Sequence, residues 1–313
     1  MTTVERLRLA DIQRIDTEHD IAAGPGHPAS ALKPGALSPG GTAVAGSDGH
    51  LFIRDGGNRW EQQYLGELTI VDAWRMNWRY ILGTRQAGAR ERGIELWNVI
   101  VPDKQILLAD KRWPPGGKPG NKRPVKFLQE VLPPAARLIY AEAALRAASP
   151  TAPMYFRHNS HWTASGCCAA AEAILALISP EVRLSDLELA ARRARGSHDL
   201  TDHFFDPAPE EDMLKMAPVG DVVFDNRHLE LTGKHIGNIY VVENRQAPDP
   251  RRLILFGDSC AYDYGLAYVL SAVFARVAFV WSNAVDWDMV AEHRADLVLC
   301  ESVERYIATL PKA

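Results

Sequence analysis

The chain has 313 residues, of which 47% are hydrophobic and 24% are charged, and its formal net charge is −4 at pH 7. This composition is typical of a globular protein and excludes a disordered chain, a collagen-like repeat and a coiled coil. Nucleic-acid binding needs clustered Lys and Arg, and the chain has no dominant basic block. We therefore expect no nucleic-acid partner.

Charged side chains such as Glu5 and Arg8 interrupt the apolar residues near the N-terminus. A signal peptide needs an apolar core of about seven residues or more, so the sequence predicts a cytoplasmic location. The longest apolar tracts, Cys167–Ile178 and Leu266–Trp281, contain polar residues and are shorter than a bilayer span. We expect no transmembrane helix.

The predicted elements follow in chain order. Residues 1–20 favour a short amphipathic helix, and the Gly- and Pro-rich residues after it favour no regular element. We therefore divide the chain into an N-terminal segment, 1–41, and one domain, 42–313. Apolar runs predict strands at Leu96–Val101, Arg137–Tyr140, Met154–Phe156, Ile239–Val242, Leu253–Phe256, Val277–Trp281 and Asp296–Cys300. Helical patterns lie at Ile70–Leu82, Pro124–Glu130, Thr163–Leu177, Ser185–Arg195 and Tyr264–Arg276.

Strands and helices alternate along this domain, and several strands are continuously apolar. Continuous apolar strands are buried on both faces, and strand–helix–strand order implies parallel neighbours. The sequence therefore predicts an α/β fold with a mainly parallel sheet that helices cover on both sides.

Ser259 is the first candidate for chemistry. An apolar strand ends at Phe256, turns through Gly257 and Asp258, and brings Ser259 to the start of a helix. In open α/β folds ligands bind at this edge of the sheet, and the N–H groups of a helix start can stabilise an oxyanion. Ser259 is therefore a candidate nucleophile; the alternative is that Asp258 or Ser259 only caps the helix.

A serine nucleophile needs a base within about 2.6–3.2 Å. His161 is the candidate, because it lies between the predicted strand that ends at Phe156 and a helix that Thr163 would cap. It would share an edge of the sheet with Ser259 if the two strands run parallel. The alternative is a partly buried structural histidine beside Trp162.

We assign no metal and no cofactor. The four cysteines at positions 167, 168, 260 and 300 have no C-x-x-C spacing, and we expect them to be small buried apolar residues. A polar segment contains residue types that bind metals, but its spacing matches no zinc motif. Its members are His198, Asp199, Asp202, His203 and Asp206.

Several short motifs occur in a characteristic order. They are Gly46–Phe52, Val101–Lys104, His161-Trp162-Thr163, Gly257-Asp258-Ser259 and Asp296–Cys300. Over about residues 45–310 the chain thereby resembles the SGNH hydrolase superfamily, and within it the alginate O-acetyltransferases of the AlgX and AlgJ type. The resemblance implies a three-layer SGNH-like, flavodoxin-like fold with a circularly permuted motif order, in which Asp-x-His-Trp precedes Gly-Asp-Ser.

The resemblance implies that Ser259 is the nucleophile, that His161 is its general base, and that Asn159 stands where the family has an aspartate. An asparagine can accept a hydrogen bond from the imidazole and fix its tautomer, but it carries no charge to stabilise the imidazolium. Three explanations stay open: a slower Ser-His-Asn site, an acid supplied from elsewhere, or a chain that has lost the chemistry and only binds.

Four further residues complete the expected site. Asn283, after a predicted strand, is a candidate oxyanion donor, although it could equally be a turn residue. Tyr262, Arg157 and Trp162 are candidates for substrate binding.

The resemblance implies an O-acetyltransferase that takes an acetyl group from an acyl donor and passes it to a carbohydrate or polysaccharide hydroxyl through an acyl-serine intermediate. An esterase or carbohydrate deacetylase would use the same residues. A catalytically silent carbohydrate-binding protein is the third possibility, which Asn159 motivates.

Overall fold

The computed structural model describes residues 3–56, 58–114, 118–133, 135–229 and 235–310. Its strands are β1 (Val4–Leu7), β2 (Ala43–Ala45), β3 (Leu51–Ile53), β4 (Glu95–Val101), β5 (Leu138–Tyr140), β6 (Leu189–Gly196), β7 (Glu211–Ala217), β8 (Asp221–Asp225), β9 (Ile239–Glu243), β10 (Asp249–Gly257), β11 (Phe274–Trp281) and β12 (Leu297–Val303). Its α-helices are α1 (Leu9–Ala22), α2 (Trp60–Leu65), α3 (Asp72–Glu91), α4 (Lys104–Leu107), α5 (Pro124–Glu130), α6 (Glu142–Ala148), α7 (Ala164–Ile178), α8 (Ser259–Tyr262), α9 (Leu266–Ser271) and α10 (Trp287–Glu292).

The centre of the fold is a seven-stranded sheet with the strand order β5-β4-β12-β10-β11-β9-β8. The first five strands run parallel to one another. Strand β9 pairs antiparallel with β11, and β8 pairs antiparallel with β9. The prediction of an α/β fold with a mainly parallel sheet is confirmed.

Strand β10 shows how the sheet is buried. Leu253 and Leu255 lie in the core that the sheet forms with α1, α7 and α9. Ile254 and Phe256 lie in a second core on the opposite face, together with residues of α3 and α10. Because side chains alternate between the faces and both faces are covered, four consecutive residues of this strand are apolar.

The N-terminal residues pack onto the same core. Strand β1 pairs antiparallel with β6 in a three-stranded sheet of order β1-β6-β7. The predicted N-terminal helix is present as α1, and its Ile12 and Ile15 are buried in the core with α7. The division of the chain at residue 41 stays a prediction.

The helix predicted over Ser185–Arg195 is wrong. Leu189–Gly196 is instead strand β6, which pairs antiparallel with β1 on one side and with β7 on the other. Alanine, leucine and arginine favour helices, but by only a few tenths of a kcal/mol per residue. Hydrogen bonds to two neighbouring strands outweigh that preference.

Two other predicted elements are shorter than expected. The strand predicted over Met154–Phe156 reduces to an isolated bridge between Tyr155 and Trp162. Within Tyr264–Arg276, the helical part is α9, and β11 begins before the predicted end.

All four cysteines are buried with free thiols, as expected. Within the described residues, no helix combines the length and the apolar character that crossing a bilayer requires.

Candidate active site

Ser259 is the first residue of α8, directly after the end of β10. The carboxylate of Asp258 caps this helix: its Oδ1 accepts a hydrogen bond from the backbone N–H of Cys260 at 3.0 Å. Its Oδ2 accepts from the backbone N–H of Val303 at 2.9 Å. Asp258 is therefore the cap, and the hydroxyl of Ser259 is left for another contact.

Glu301 of β12 supports the same turn. Its Oε2 accepts a hydrogen bond from the backbone N–H of Asp258 at 3.0 Å. A Cβ on Gly257 would lie 2.7 Å from that carboxyl oxygen and 2.8 Å from Cβ of Ala261, so a glycine fits this turn and a larger residue would force a shift. Burial raises the pKa of Asp258 and raises that of Glu301 well above its usual range. The backbone before the serine is therefore held by two residues of β12, Glu301 and Val303.

His161 lies in a tight turn between Tyr155 and Trp162, directly before α7. Thr163 caps that helix, because its side-chain oxygen accepts from the backbone N–H of Gly166 at 3.1 Å. The turn, rather than the end of a sheet strand, presents the imidazole. The predicted cap is confirmed, and the predicted strand before it is only an isolated bridge.

The structure brings Ser259 and His161 together. The distance between His161 Nε2 and Ser259 Oγ is 2.8 Å, although 98 positions separate the two residues. The indole Nε1 of Trp162 also donates a hydrogen bond to the carbonyl oxygen of Tyr264 at 2.9 Å. This second contact ties the segment of the histidine to the segment that follows the serine.

Asn159 fixes the tautomer of the imidazole. Its Oδ1 accepts hydrogen bonds from the ring Nδ1 of His161 at 2.7 Å and from the backbone N–H of the same residue at 3.0 Å. Because an amide oxygen only accepts, the ring proton lies on Nδ1. The lone pair of Nε2 therefore faces the hydroxyl of Ser259, which is the arrangement that a general base needs.

Asp199 also faces the imidazole, and the sequence analysis assigned it no role. Its Oδ2 lies 3.4 Å from His161 Nδ1. The same carboxylate accepts from the hydroxyl of Ser160 at 2.5 Å and from the backbone N–H of Ser160 at 2.8 Å. An acid supplied from elsewhere was one of the three explanations for Asn159, but the sequence offered no means of choosing Asp199 from the polar segment.

Asp199 remains ionised. Burial raises its pKa, but the interaction with His161 and the hydrogen bonds from Ser160 outweigh that effect and hold the pKa well below its usual range. A negative charge therefore lies beside the ring nitrogen that faces away from Ser259.

Tyr264 packs flat on the imidazole. The ring centroids of Tyr264 and His161 are 3.8 Å apart, and the planes differ by 4°. The hydroxyl of Tyr264 accepts a hydrogen bond from Asn159 Nδ2 at 3.0 Å. The sequence analysis did not place this tyrosine against the base.

Trp162 is not available to a substrate. Its side chain is fully buried, and its indole N–H is used within the protein. This corrects its assignment as a substrate-binding residue, because a polysaccharide cannot reach it. Arg157 is engaged as well: its guanidinium donates to the carbonyl oxygen of Asp48 at 2.6 Å and pairs with Asp20 at 2.7 Å. Its substrate role stays a prediction.

Tyr262 lies in a partly exposed aromatic cluster. Its ring centroid is 5.1 Å from that of Trp281 and 5.7 Å from that of His235. Asn283 is exposed after β11, and its carbonyl oxygen accepts from the guanidinium of Arg85 at 2.6 Å. The oxyanion role of Asn283 and the substrate role of Tyr262 stay predictions.

His27, His158 and Glu211 are the best candidate for a metal centre among the described residues. The nearest distances to Glu211 Oε1 are 3.4 Å for His27 Nε2 and 2.8 Å for His158 Nδ1. However, Nδ1 of His27 accepts a backbone hydrogen bond from Ala29, so its proton lies on Nε2, the nitrogen that would have to bind the metal. Because His158 is already hydrogen-bonded to the Glu211 carboxylate and His27 Nε2 carries a proton, the set does not fit a metal.

Asp258, Cys260 and Glu301 form a second group of metal-ligand types at the turn before α8. Burial raises the pKa of the Cys260 thiol well above its usual range, so the thiol stays protonated. Both oxygens of Asp258 already accept backbone hydrogen bonds. A metal needs a thiolate and free lone pairs, which this group does not offer.

The fold matches several solved structures. Bacillus cereus PatB1 with a sulfonyl adduct is similar with a TM-score of 0.56 and 13% identity, over 76% of this chain and 90% of that chain. A DHHW family protein from Eubacterium siraeum gives a TM-score of 0.54 and 13% identity, over 75% and 86%. The O-acetyltransferase domain of Pseudomonas putida AlgJ gives 0.51 and 15% identity, over 86% and 94%. At these identities the likeness concerns the fold.

The family comparison is more specific. No curated protein matches the chain at a significant level. The model of one family, an SGNH hydrolase-like domain of acetyltransferase AlgX, matches residues 43–204. These residues include Asn159, His161 and Asp199, and the match ends before Ser259. Because the match spans more than half of the chain, this protein belongs to the SGNH hydrolase-like acetyltransferase family of AlgX, and it is an enzyme of the acyltransferase and esterase class.

Proposed function

We propose that this protein moves an acetyl group from an acyl donor to a carbohydrate hydroxyl through an acyl-serine intermediate on Ser259. The observation that carries the proposal is the 2.8 Å contact between His161 Nε2 and Ser259 Oγ, with the proton of the ring held on Nδ1 by Asn159. A hydroxyl in contact with the free lone pair of an imidazole is the arrangement of an activated serine.

In the first half-reaction, Ser259 Oγ attacks the carbonyl carbon of the donor while His161 Nε2 takes the hydroxyl proton. The resulting oxyanion needs donors. The backbone N–H of Ser259 makes no hydrogen bond with another group in the described part of the chain, so it is free to serve. Asn283 is the candidate second donor. The leaving group then takes the proton from His161 as the carbon–oxygen bond of the donor breaks.

In the second half-reaction, a carbohydrate hydroxyl replaces the leaving group. His161 takes its proton, the hydroxyl oxygen attacks the acyl-serine, and the proton returns to Ser259 Oγ when the ester bond to the serine breaks. The aromatic cluster of Tyr262, Trp281 and His235 supports a carbohydrate acceptor, because it presents partly exposed ring faces close to α8.

The test uses purified protein and p-nitrophenyl acetate. We expect Ser259→Ala and His161→Ala each to lower kcat by at least about 10³-fold while the protein stays folded. Ser185→Ala is the matched control, because Ser185 is exposed and its hydroxyl contacts Asp186 on the surface. A wild-type rate in Ser259→Ala would contradict the proposal.

Adding oligosaccharides then separates transfer from hydrolysis. Mass spectrometry is expected to show a carbohydrate product heavier by one acetyl group, formed by the wild type and not by Ser259→Ala. If acetate is the only product with every oligosaccharide tried, the carbohydrate acceptor is wrong and the enzyme is an esterase that uses the same residues.

A further inference from the structure

Asn159 and Asp199 face the same ring nitrogen of the proposed base, which the hydroxyl of Ser160 also approaches at 3.4 Å. Asn159 Oδ1 lies 2.7 Å from His161 Nδ1, and Asp199 Oδ2 lies 3.4 Å from it. We propose that these two positioning residues share the role that one carboxylate has in a Ser-His-Asp triad: Asn159 orients the imidazole, and Asp199 supplies the negative charge that stabilises the imidazolium. This inference rests on the proposed function.

The orientation of the Asn159 amide is determined by its other contacts. Its Nδ2 donates hydrogen bonds to Nδ1 of His198 at 2.9 Å and to the hydroxyl of Tyr264 at 3.0 Å. With both amide protons used there, the amide oxygen must face His161. The asparagine therefore has one orientation, and a carboxylate in its place would lose both donor contacts.

His198 can accept this hydrogen bond only while Nδ1 is unprotonated. Burial lowers the pKa of His198 to about 4, so the ring is neutral at ordinary pH. Its proton then lies on Nε2, which is 3.8 Å from Glu211 Oε2. In His198, Nδ1 therefore accepts from Asn159 and Nε2 carries the proton near Glu211. In His161, Nδ1 donates to Asn159 and Nε2 faces Ser259.

Asn159 cannot stabilise the imidazolium, because a neutral amide offers only a dipole. When His161 takes the proton of Ser259, the ring becomes positive, and a carboxylate close to Nδ1 lowers the energy of that state. Asp199 is held at this place by two hydrogen bonds from Ser160. The side chain of Asp199 is 36% exposed, so water weakens its field, and we expect a smaller effect than in a fully buried triad.

Other titratable groups near His161 do not replace Asp199. Asp258 has both oxygens occupied by backbone N–H groups, and burial raises its pKa. Burial also raises the pKa of Tyr264, so this phenol stays neutral. Lys104, which contacts the carbonyl oxygen of Asn159, is a potential cation, not an anion. Among the described residues, Asp199 is the carboxylate within ion-pair distance of the ring.

The experiment measures p-nitrophenyl acetate hydrolysis across pH for Asp199→Asn. We expect kcat to fall by about 10–100-fold with little change in KM, and the midpoint of the acidic limb of kcat/KM to move to lower pH, because the protonated ring has lost its anion. Asp202→Asn is the matched control: Asp202 is exposed in the same segment, and both its rate and its pH profile should stay unchanged.

A negative charge restored at position 159 distinguishes an electrostatic role of Asp199 from a purely structural one. Asn159→Asp, combined with Asp199→Asn, places a carboxylate against His161 Nδ1 again. We expect kcat of the double variant to be about tenfold higher than that of Asp199→Asn alone. A double variant that is folded by circular dichroism but as slow as Asp199→Asn would overturn the inference.

The inference would also be overturned if Asp199→Asn had the wild-type kcat and its acidic limb of kcat/KM had the wild-type midpoint. The failure of the proposed function has a different signature, which is a Ser259→Ala variant that keeps the wild-type rate. The two failures are therefore distinguishable in the same assay.

Discussion

The imidazole of His161 lies flat against the ring of Tyr264, with centroids 3.8 Å apart. Three groups of Tyr264 serve the site: the ring stacks on the base, the hydroxyl accepts from Asn159, and the backbone carbonyl accepts from Trp162. Tyr264 follows the proposed nucleophile closely in sequence. One residue therefore couples the position of the base to that of the serine.

We expect Tyr264→Leu to lower kcat by about tenfold. The imidazole of His161 would lose the ring that limits its rotation, and a misplaced base takes the proton of Ser259 more slowly. Tyr264→Phe keeps the ring stack and loses only the hydroxyl acceptor of Asn159, so its kcat should fall less than about threefold. Steady-state rates with p-nitrophenyl acetate check the pair. Equal losses in the two variants would contradict a role for the stack.

Lys104 connects two segments beneath the site. Its buried Nζ donates to the carbonyl oxygens of Leu51 at 2.7 Å, Arg157 at 2.6 Å and Asn159 at 3.3 Å. We expect Lys104→Met to lower the free energy of unfolding by about 1–3 kcal/mol or more, because these carbonyls lose a donor, and to lower kcat through the Asn159 backbone. Urea unfolding and the ester assay measure the two effects.

Lys111→Met is the matched control for that change. Lys111 pairs with Asp48 at 2.6 Å, and its side chain is 36% exposed. A surface ion pair contributes about 0–1 kcal/mol. If both lysine variants lose the same stability, the buried contacts of Lys104 do not have the role described.

Gly166 permits close packing between α7 and the segment of the base. A Cβ at this position would lie 2.1 Å from the carbonyl oxygen of Met154 and 3.0 Å from Cβ of Trp162. We expect Gly166→Ala to destabilise the protein by about 1–3 kcal/mol, because the backbone of the turn must move. Thermal unfolding measures the loss.

We expect Gly83→Ala to stabilise the protein. Gly83 lies within α3, and a Cβ there would meet nothing within 4 Å. Alanine stabilises a helix interior by about 0.5–1 kcal/mol relative to glycine. A loss of stability in Gly83→Ala similar to that in Gly166→Ala would show that steric contact does not explain the latter.

Asp16 makes stability depend on pH. Burial raises the pKa of this carboxyl to about 7, although hydrogen bonds from Ser165 act in the opposite direction. Between about pH 4 and pH 7 the folded state therefore binds more protons than the unfolded state. The contribution of Asp16 to stability is fully present below about pH 4 and is lost as the pH rises to 7, at up to about 1.4 kcal/mol per pH unit.

Asp16→Asn removes this titration and keeps an oxygen that can accept from Ser165. We expect the difference in unfolding free energy between variant and wild type to move in favour of the variant from pH 4 to pH 7. Urea unfolding at several pH values measures it. A constant difference across that range would show that Asp16 does not titrate there.

The strands of the central sheet could be predicted because they are buried on both faces. Leu253–Phe256 is apolar without a break, and the run is shorter than a typical helix, which favours a strand. Ser185–Arg195 shows the opposite case, since its residues favour a helix locally and become a strand through pairing with β1 and β7. Local preference is too weak to decide such a segment.

The sequence by itself determined the buried apolar strands and the place of Ser259 before a helix, because each depends on residues close to one another along the chain, and the family resemblance placed Asn159 two positions before His161. Only the tertiary structure decided that Asp199 and Tyr264 contact the imidazole and that Trp162 is buried. Contacts between distant segments depend on how the helices and loops pack over the sheet. The sequence around a charged or aromatic residue does not indicate which distant residue it will contact.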